Sequence, residues 1–175
     1  MQQKDSGRIH RKWIIRKFES QPDMTSEEVA AKFFAGGRGC LPFDEVVIEG
    51  NVLLNEGIAV LANLLTGGAG TAFNNASSFL GVGDSATAAV ATQTALLAAA
   101  NKVYVGMEAT YPQIAAQTIT WRSVFGSAVG NFAWNEFTVA NGNSDAATNL
   151  NRLVSAQGTK AAGQTWTLDL QITFS

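Results

Sequence analysis

The chain has one cysteine, one histidine, three prolines and few charges, and each scarcity closes off a class of functions. A single thiol, Cys40, forms no internal disulfide and cannot supply a cysteine-based zinc site; it reads as a small buried or incidental thiol. The lone histidine, His10, lies in Arg8-Ile9-His10-Arg11-Lys12, where a solvated surface side chain is a simpler reading than a catalyst or ligand. No metal or cofactor is therefore expected. Charged residues make up 15% of the chain, against roughly 25% in average soluble proteins. The net charge of −2 offers little self-repulsion, which suits a subunit that assembles with others. No apolar run approaches the roughly 20 residues of a membrane span. Trp13-Ile14-Ile15 is too short for the apolar centre of a secretory signal, so synthesis in a cytoplasm is expected, with no membrane partner.

At 175 residues the chain fits a single domain able to bury a core without metals or disulfides. What it does contain is β patterning. From Thr165 to Phe174, Trp166, Leu168, Leu170, Ile172 and Phe174 alternate with polar residues, the period of a strand with one buried face. Lys102 to Tyr111, Thr118 to Phe125, Asn131 to Val139 and Leu150 to Ser155 are further strand candidates, separated by Gly/Asn/Ser-rich turns. In Asn131 to Val139, Phe132 and Trp134 compete with Ala133, Phe137 and Val139 for the inner face. Ser78 to Val82 is another short apolar run, and Ala86 to Ala100 is either a short helical turn or an irregular crossing loop.

Two helices precede this β region. Thr25-Ser26-Glu27-Glu28 spells a capping box, followed by an apolar stripe of Val29, Ala30, Phe33 and Phe34 and ended by Gly36-Gly37. Asn55 is expected to cap a second helix with an apolar face of Ile58, Leu61, Ala62 and Leu65. The expected architecture is mainly β, an antiparallel β-sandwich or jelly roll over 21–175, with short helices near 26–35 and 55–65 serving as packing elements.

Residues 1–20 carry six of the chain's twelve basic residues, Lys4, Arg8, Arg11, Lys12, Arg16 and Lys17, around Trp13-Ile14-Ile15 and Phe18. Trp13-Ile14-Ile15 and Phe18 have the bulk and branching of a strand, so this segment is expected to be a basic arm leading into a strand or lying on a neighbour's surface, with Arg8, Arg11, Lys12, Trp13, Arg16 and Lys17 as contact residues; the alternative is an edge strand guarded by its cations. A pI near 5.3 and the lack of a basic face elsewhere argue against nucleic acid as the partner.

Catalytic signatures are weak. Gly81-Val82-Gly83-Asp84-Ser85 lacks the third glycine and the strand-helix-strand context of a nucleotide loop, and Gly158-Thr159-Lys160 lacks the upstream glycine of a phosphate loop. Glu108, Glu136, Asp145 and Asp169 offer carboxylates for glycoside hydrolysis, but solvation or pairing with Arg122, Arg152 or Lys160 accounts for those on strands. The aromatic residues at alternating spacing fit a core better than a carbohydrate platform.

Three stretches carry a family resemblance: GVGDSATAAVATQTAL (81–96), TITWRSVFG (118–126) with NFAWNEFTVANG (131–142), and LNRLVSAQGTKAAGQTWTLDLQITF (150–174). Together they resemble small structural proteins of tailed bacteriophages, found among capsid-decoration and tail or fibre proteins. The resemblance covers roughly the C-terminal half and implies a non-enzymatic virion protein assembled in the bacterial cytoplasm. It implies a cement role on the major capsid protein, as a homo-oligomer; the alternative it carries is a tail, baseplate or fibre component.

Overall fold

A computed structural model describes residues 8–175; Lys4 and Asp5 of the basic segment lie outside the described residues. The elements in chain order are β1 (Ile9–Phe18), α1 (Ser26–Phe34), β2 (Asp44–Glu49), β3 (Val52–Leu53), α2 (Asn55–Leu65), β4 (Phe79–Gly83), β5 (Lys102–Gly106), β6 (Gln113–Ala115), β7 (Thr118–Phe125), β8 (Glu136–Ala140), β9 (Asn151–Val154) and β10 (Thr165–Phe174). The described residues are mainly β, with two antiparallel sheets and two short helices.

Each sheet has five strands, ordered β2-β1-β10-β7-β6 in the first and β3-β9-β8-β4-β5 in the second. In the first, β1 and β10 run antiparallel along ten residues, from Ile9 opposite Phe174 to Phe18 opposite Thr165. Alternation gives this sheet two faces. Trp13 and Ile15 of β1, Trp121 and Phe125 of β7, and Trp166, Leu168, Leu170 and Ile172 of β10 join the main core with Leu80, Val82, Phe137 and Val139 of the second sheet. The rings interlock at its centre, Trp134 lying edge-on to Trp166 at 4.9 Å and to Phe125 at 4.7 Å between centroids.

The basic segment is thereby corrected. Residues 9–18 form the strand that their apolar residues suggested, but it is neither a free arm nor an edge: β1 is hydrogen-bonded to β10 on one side and β2 on the other, and Trp13, Ile15 and Phe18 are wholly buried. A chain without Met1 to Lys17 loses the middle of a sheet, not an appendage.

The rival faces of 131–139 are both accommodated. The strand starts only at Glu136, and the irregular backbone before it shifts the phase, so Trp134 and Phe137 both enter the core. Gly81 and Gly83 lie inside β4, where the ring of Tyr104 and the carboxylate of Glu136 occupy the space a Cβ would need, at 2.7 and 2.4 Å. The 86–100 segment is an irregular loop that buries Leu96 and Ala98.

The capping box forms as expected, with the Thr25 amide donating to Glu28 Oε2 at 2.7 Å and the Glu28 amide donating to Thr25 Oγ1 at 3.2 Å. Helix α1 lies on the outer face of the first sheet, where Val29, Ala30, Phe18 and Cys40 form a second, smaller core flanked by Phe33 and Phe34. Asn55 is the first helical residue of α2 instead of its cap; the cap is Leu54, which makes no side-chain hydrogen bond. Trp166 ties several layers together, since Lys17 Nζ also sits 4.6 Å from its ring centre. Replacing Trp166 by alanine empties a fully packed site and is expected to cost about 3–5 kcal/mol, read from urea unfolding; a loss below about 1 kcal/mol would show that the ring is not part of the core.

Candidate functional site

The residues expected to contact a partner divide according to the pleat of β1. Trp13 faces the core, and Lys17 on the same row donates to the Gln157 carbonyl at 3.0 Å and pairs with Asp44 at 2.8 Å. Arg11 also belongs to this inward row, and its Nε is buried without a hydrogen-bond partner among the described residues. On the outward row, Arg16 pairs with Glu45 at 2.6 Å and with Asp169 at 3.1 Å. Arg8 and Lys12 are left: among the described residues neither forms an ion pair. The structure thus does not bring the six predicted residues together on one surface.

The outer face of the first sheet has a covered half and an open half. In the covered half, Asp169 is almost completely buried, and Arg122 grips both of its oxygens at 2.7 and 2.6 Å. The Arg122 guanidinium stacks 3.9 Å from the Phe34 ring centre and 4.8 Å from that of Tyr111, so α1 seals the ion pair beneath an aromatic lid. Toward Arg8 and Ser175 no helix among the described residues lies over the sheet. There the outward row runs Arg8, His10 and Lys12, with Thr173 and Gln171 of β10 opposite in register, and Thr118 and Thr120 of β7 beyond them. The strip is polar and of mixed charge, since the exposed Glu49 of β2 stands opposite Lys12 in register on the other side of β1.

The carboxylates considered for glycoside hydrolysis are dispersed. Glu136 is fully buried on the outer side of the second sheet, bound by Arg152 Nε and Nη2 at 2.8 and 2.6 Å and by the amides of Leu97 and Ala98 at 2.9 and 2.7 Å. It fastens the 86–100 loop to the sheet. Asp169 belongs to the opposite sheet, so the solvated reading of these two acids gives way to cross-strand pairing with arginine. Asp145 accepts from Lys102 and from the Tyr104 hydroxyl, and burial followed by this acid raises the Tyr104 pKa. Glu108 borders a pocket of about 310 Å³ beside Arg122 and Tyr111. Among the described residues, no three His, Cys, Asp or Glu side chains gather as a metal site.

A polar staple joins α1 to two loops. Glu27 Oε1 accepts from the Ser127 amide at 2.6 Å, and hydrogen bonding from Ser127 lowers the Glu27 pKa to about 2. Lys160, 1% exposed, donates to the Gly126 carbonyl at 2.8 Å and to Asn131 Oδ1 at 2.7 Å. Burial lowers its pKa to about 8.

The feature that strand-by-strand reasoning missed is apolar. Helix α2 buries only Gly57, whose added Cβ would stand 2.4 Å from Leu150 Cα, so this glycine sets the close docking of the helix. The face expected to pack is turned outward: Ile58 is 46%, Leu61 38% and Leu65 89% exposed. Between α2 and the inner edge of the first sheet lies an open groove of about 320 Å³, walled by Leu61 and Leu64 on one side and Ile114, Ile119, Trp121 and Phe174 on the other. The signal was present in the sequence, since α2 is apolar around most of its circumference, a pattern that calls for cover on more than one side.

Comparison with family models, curated proteins and solved structures finds no match to the chain.

The buried lysine gives a pH signature. The folded state holds the Lys160 proton less tightly than the unfolded chain, with values of about 8 against 10.5, so the unfolded state binds more protons within that window and stability rises with pH through it. Urea unfolding between those values is expected to show wild type gaining stability relative to Lys160→Met; a constant difference between the two proteins would contradict the burial of a charged ammonium.

Proposed function

We propose that the chain is a structural subunit of a tailed-bacteriophage virion, a decoration protein that cements the assembled major capsid lattice and performs no chemistry of its own. The observation that carries this reading is the open half of the first sheet. It presents Arg8 and Lys12, neither in an ion pair among the described residues, beside neutral Gln171, Thr173, Thr118 and Thr120, with Glu49 of β2 in register with Lys12 as its one flanking acid among the residues paired with this row. Such a strip suits an acidic, relatively flat partner, with the cations setting orientation and encounter rate. The resemblance of residues 81–96, 118–126, 131–142 and 150–174 to phage structural proteins points the same way.

The two sheets share one core, which supports a sandwich. A jelly-roll course is supported by nested pairing: β1 lies beside β10, β3 beside β9 and β4 beside β8, as expected when an antiparallel ribbon rolls up from its ends. On the capsid, a subunit that binds the assembled lattice and not loose capsid protein stabilises the assembly by mass action. Repeated weak contacts from a homo-oligomer add through effective concentration.

Protein quantitation in purified particles tests the assignment. Hundreds of copies per particle are expected; a handful would favour a tail, baseplate or fibre component, and none would contradict a virion role. Reversing Arg8 and Lys12 to glutamate is expected to weaken lattice binding about tenfold, more at low than at high salt, with an unchanged unfolding midpoint. Undiminished occupancy would remove the cationic strip from the mechanism.

A further inference from the structure

Of the two buried lysines among the described residues, Lys17 pairs with Asp44, whereas Lys160 has no carboxylate within ion-pair distance. Its Nζ is held by two neutral oxygens, the Gly126 carbonyl at 2.8 Å and Asn131 Oδ1 at 2.7 Å. Asn131 Nδ2 donates to the Ser127 carbonyl at 3.0 Å, so the side-chain amide is turned with its carbonyl toward the amine. Backbone bonds fix both partners: the Lys160 amide donates to the Phe132 carbonyl at 3.1 Å, the Trp134 amide to Gly158 at 2.9 Å and the Gly163 amide to Ser127 at 3.2 Å. Glu27 secures the same turn through the Ser127 amide at 2.6 Å.

The contact sets a nucleophile against a carboxamide. Burial favours the neutral amine and lowers the Lys160 pKa to about 8, outweighing Glu27, which acts in the opposite sense. Near neutral pH a larger fraction of this amine than of an ordinary lysine therefore carries a free electron pair. Asn131 Cγ is one C=O bond, about 1.2 Å, from the oxygen that Nζ already touches. Holding the two groups together makes their reaction intramolecular, for which effective concentrations reach about 10⁵–10⁸ M. Amide formation also relieves the cost of a buried ammonium hydrogen-bonded only to neutral acceptors, because the product is uncharged.

We infer that Lys160 and Asn131 join in an intramolecular isopeptide bond, formed by the folded chain itself. The Lys160 ammonium first gives its extra proton to water, and the Nζ electron pair attacks Asn131 Cγ. The Nζ–Cγ bond forms, the Cγ–Nδ2 bond breaks, and one amine proton passes to Nδ2, which departs as ammonia. Nothing is oxidised or reduced, and no co-reactant is consumed. The bond closes the segment from Asn131 to Lys160, which carries β8 and β9, into a covalent loop and so restricts the unfolded chain. The pH-dependent stability set out for Lys160 is a property of the unlinked chain, since the linked form has no ammonium to titrate. This inference does not rest on the virion reading.

Intact-mass spectrometry of the purified full chain is expected to give a mass below that of the sequence by one ammonia. Lys160→Arg and Asn131→Ala are each expected to show their full sequence mass. Asn131 is an exposed turn residue, so Asn131→Ala keeps the native circular dichroism spectrum and separates loss of the bond from loss of the fold. Trypsin digestion locates the link: residues 123–152 are expected to stay joined to residues 153–175, with no cleavage after Lys160. Ammonia lost elsewhere, at Asn141-Gly142 or from Gln2, leaves Lys160 open to trypsin and would count against the bond. A wild-type chain at its full sequence mass, both fresh and after prolonged incubation above a pH of about 8, would overturn the inference, as would an ammonia loss that persists in Asn131→Ala.

Discussion

The pairing of β1 with β10 is the constraint on which the rest of the molecule depends. It brings the two ends of the described chain together, places Trp13 and Ile15 beside Leu170 and Leu168 on the inner face, and sets Ile14 and Arg16 beside Asp169 and Thr167 on the outer one. A shift of one residue would exchange those faces and put Arg16 and Lys12 into the core. Apolar burial on one side and an arginine-neutralised acid on the other both select the same register.

That register explains how a weakly charged chain tolerates charged groups in its interior. Asp169 and Glu136 are each almost wholly withdrawn from water; Arg122 meets both oxygens of Asp169, whereas Arg152 directs two nitrogens to Oε2 of Glu136 and the Ala98 amide meets Oε1, contacts that offset the loss of hydration. Removing one partner from such a pair typically costs about 3–5 kcal/mol, so these ion pairs act as fasteners. Asp169 anchors the sheet under α1, and Glu136 anchors the long loop over the second sheet. With these groups committed internally, the open half of the first sheet and the uncharged groove are among the surfaces that the described residues leave exposed.

Much of the β architecture was legible in the sequence, because period-2 alternation in Thr118 to Phe125 and Thr165 to Phe174 reports directly on a half-buried pleat. The capping box before α1 was legible for an equally local reason. The basic segment was misread because six cations outweighed Trp13-Ile14-Ile15, although a central strand accommodates Arg16 and Lys17 once acids on neighbouring strands meet them. Strands β3 and β6 are too short to show alternation, and their pairing is a property of the fold. For α2 the apolar residues were recognised but their cover was assumed; whether a helix face meets the core depends on where Gly57 docks, which only the tertiary structure supplies. The cationic strip was partly legible as Arg8 and Lys12, but their separation from Arg11, Trp13 and Lys17 follows from the pleat.

Native-state hydrogen exchange on the amides of β1 tests most directly whether the basic segment is the centre of a sheet. If it is, the amides of Trp13 and Ile15 exchange only through global unfolding, at the same free energy as those of Leu168 and Leu170 and with the same denaturant dependence. Rapid exchange of β1 while β10 remains protected would mean that the segment detaches as an arm, and would contradict the account.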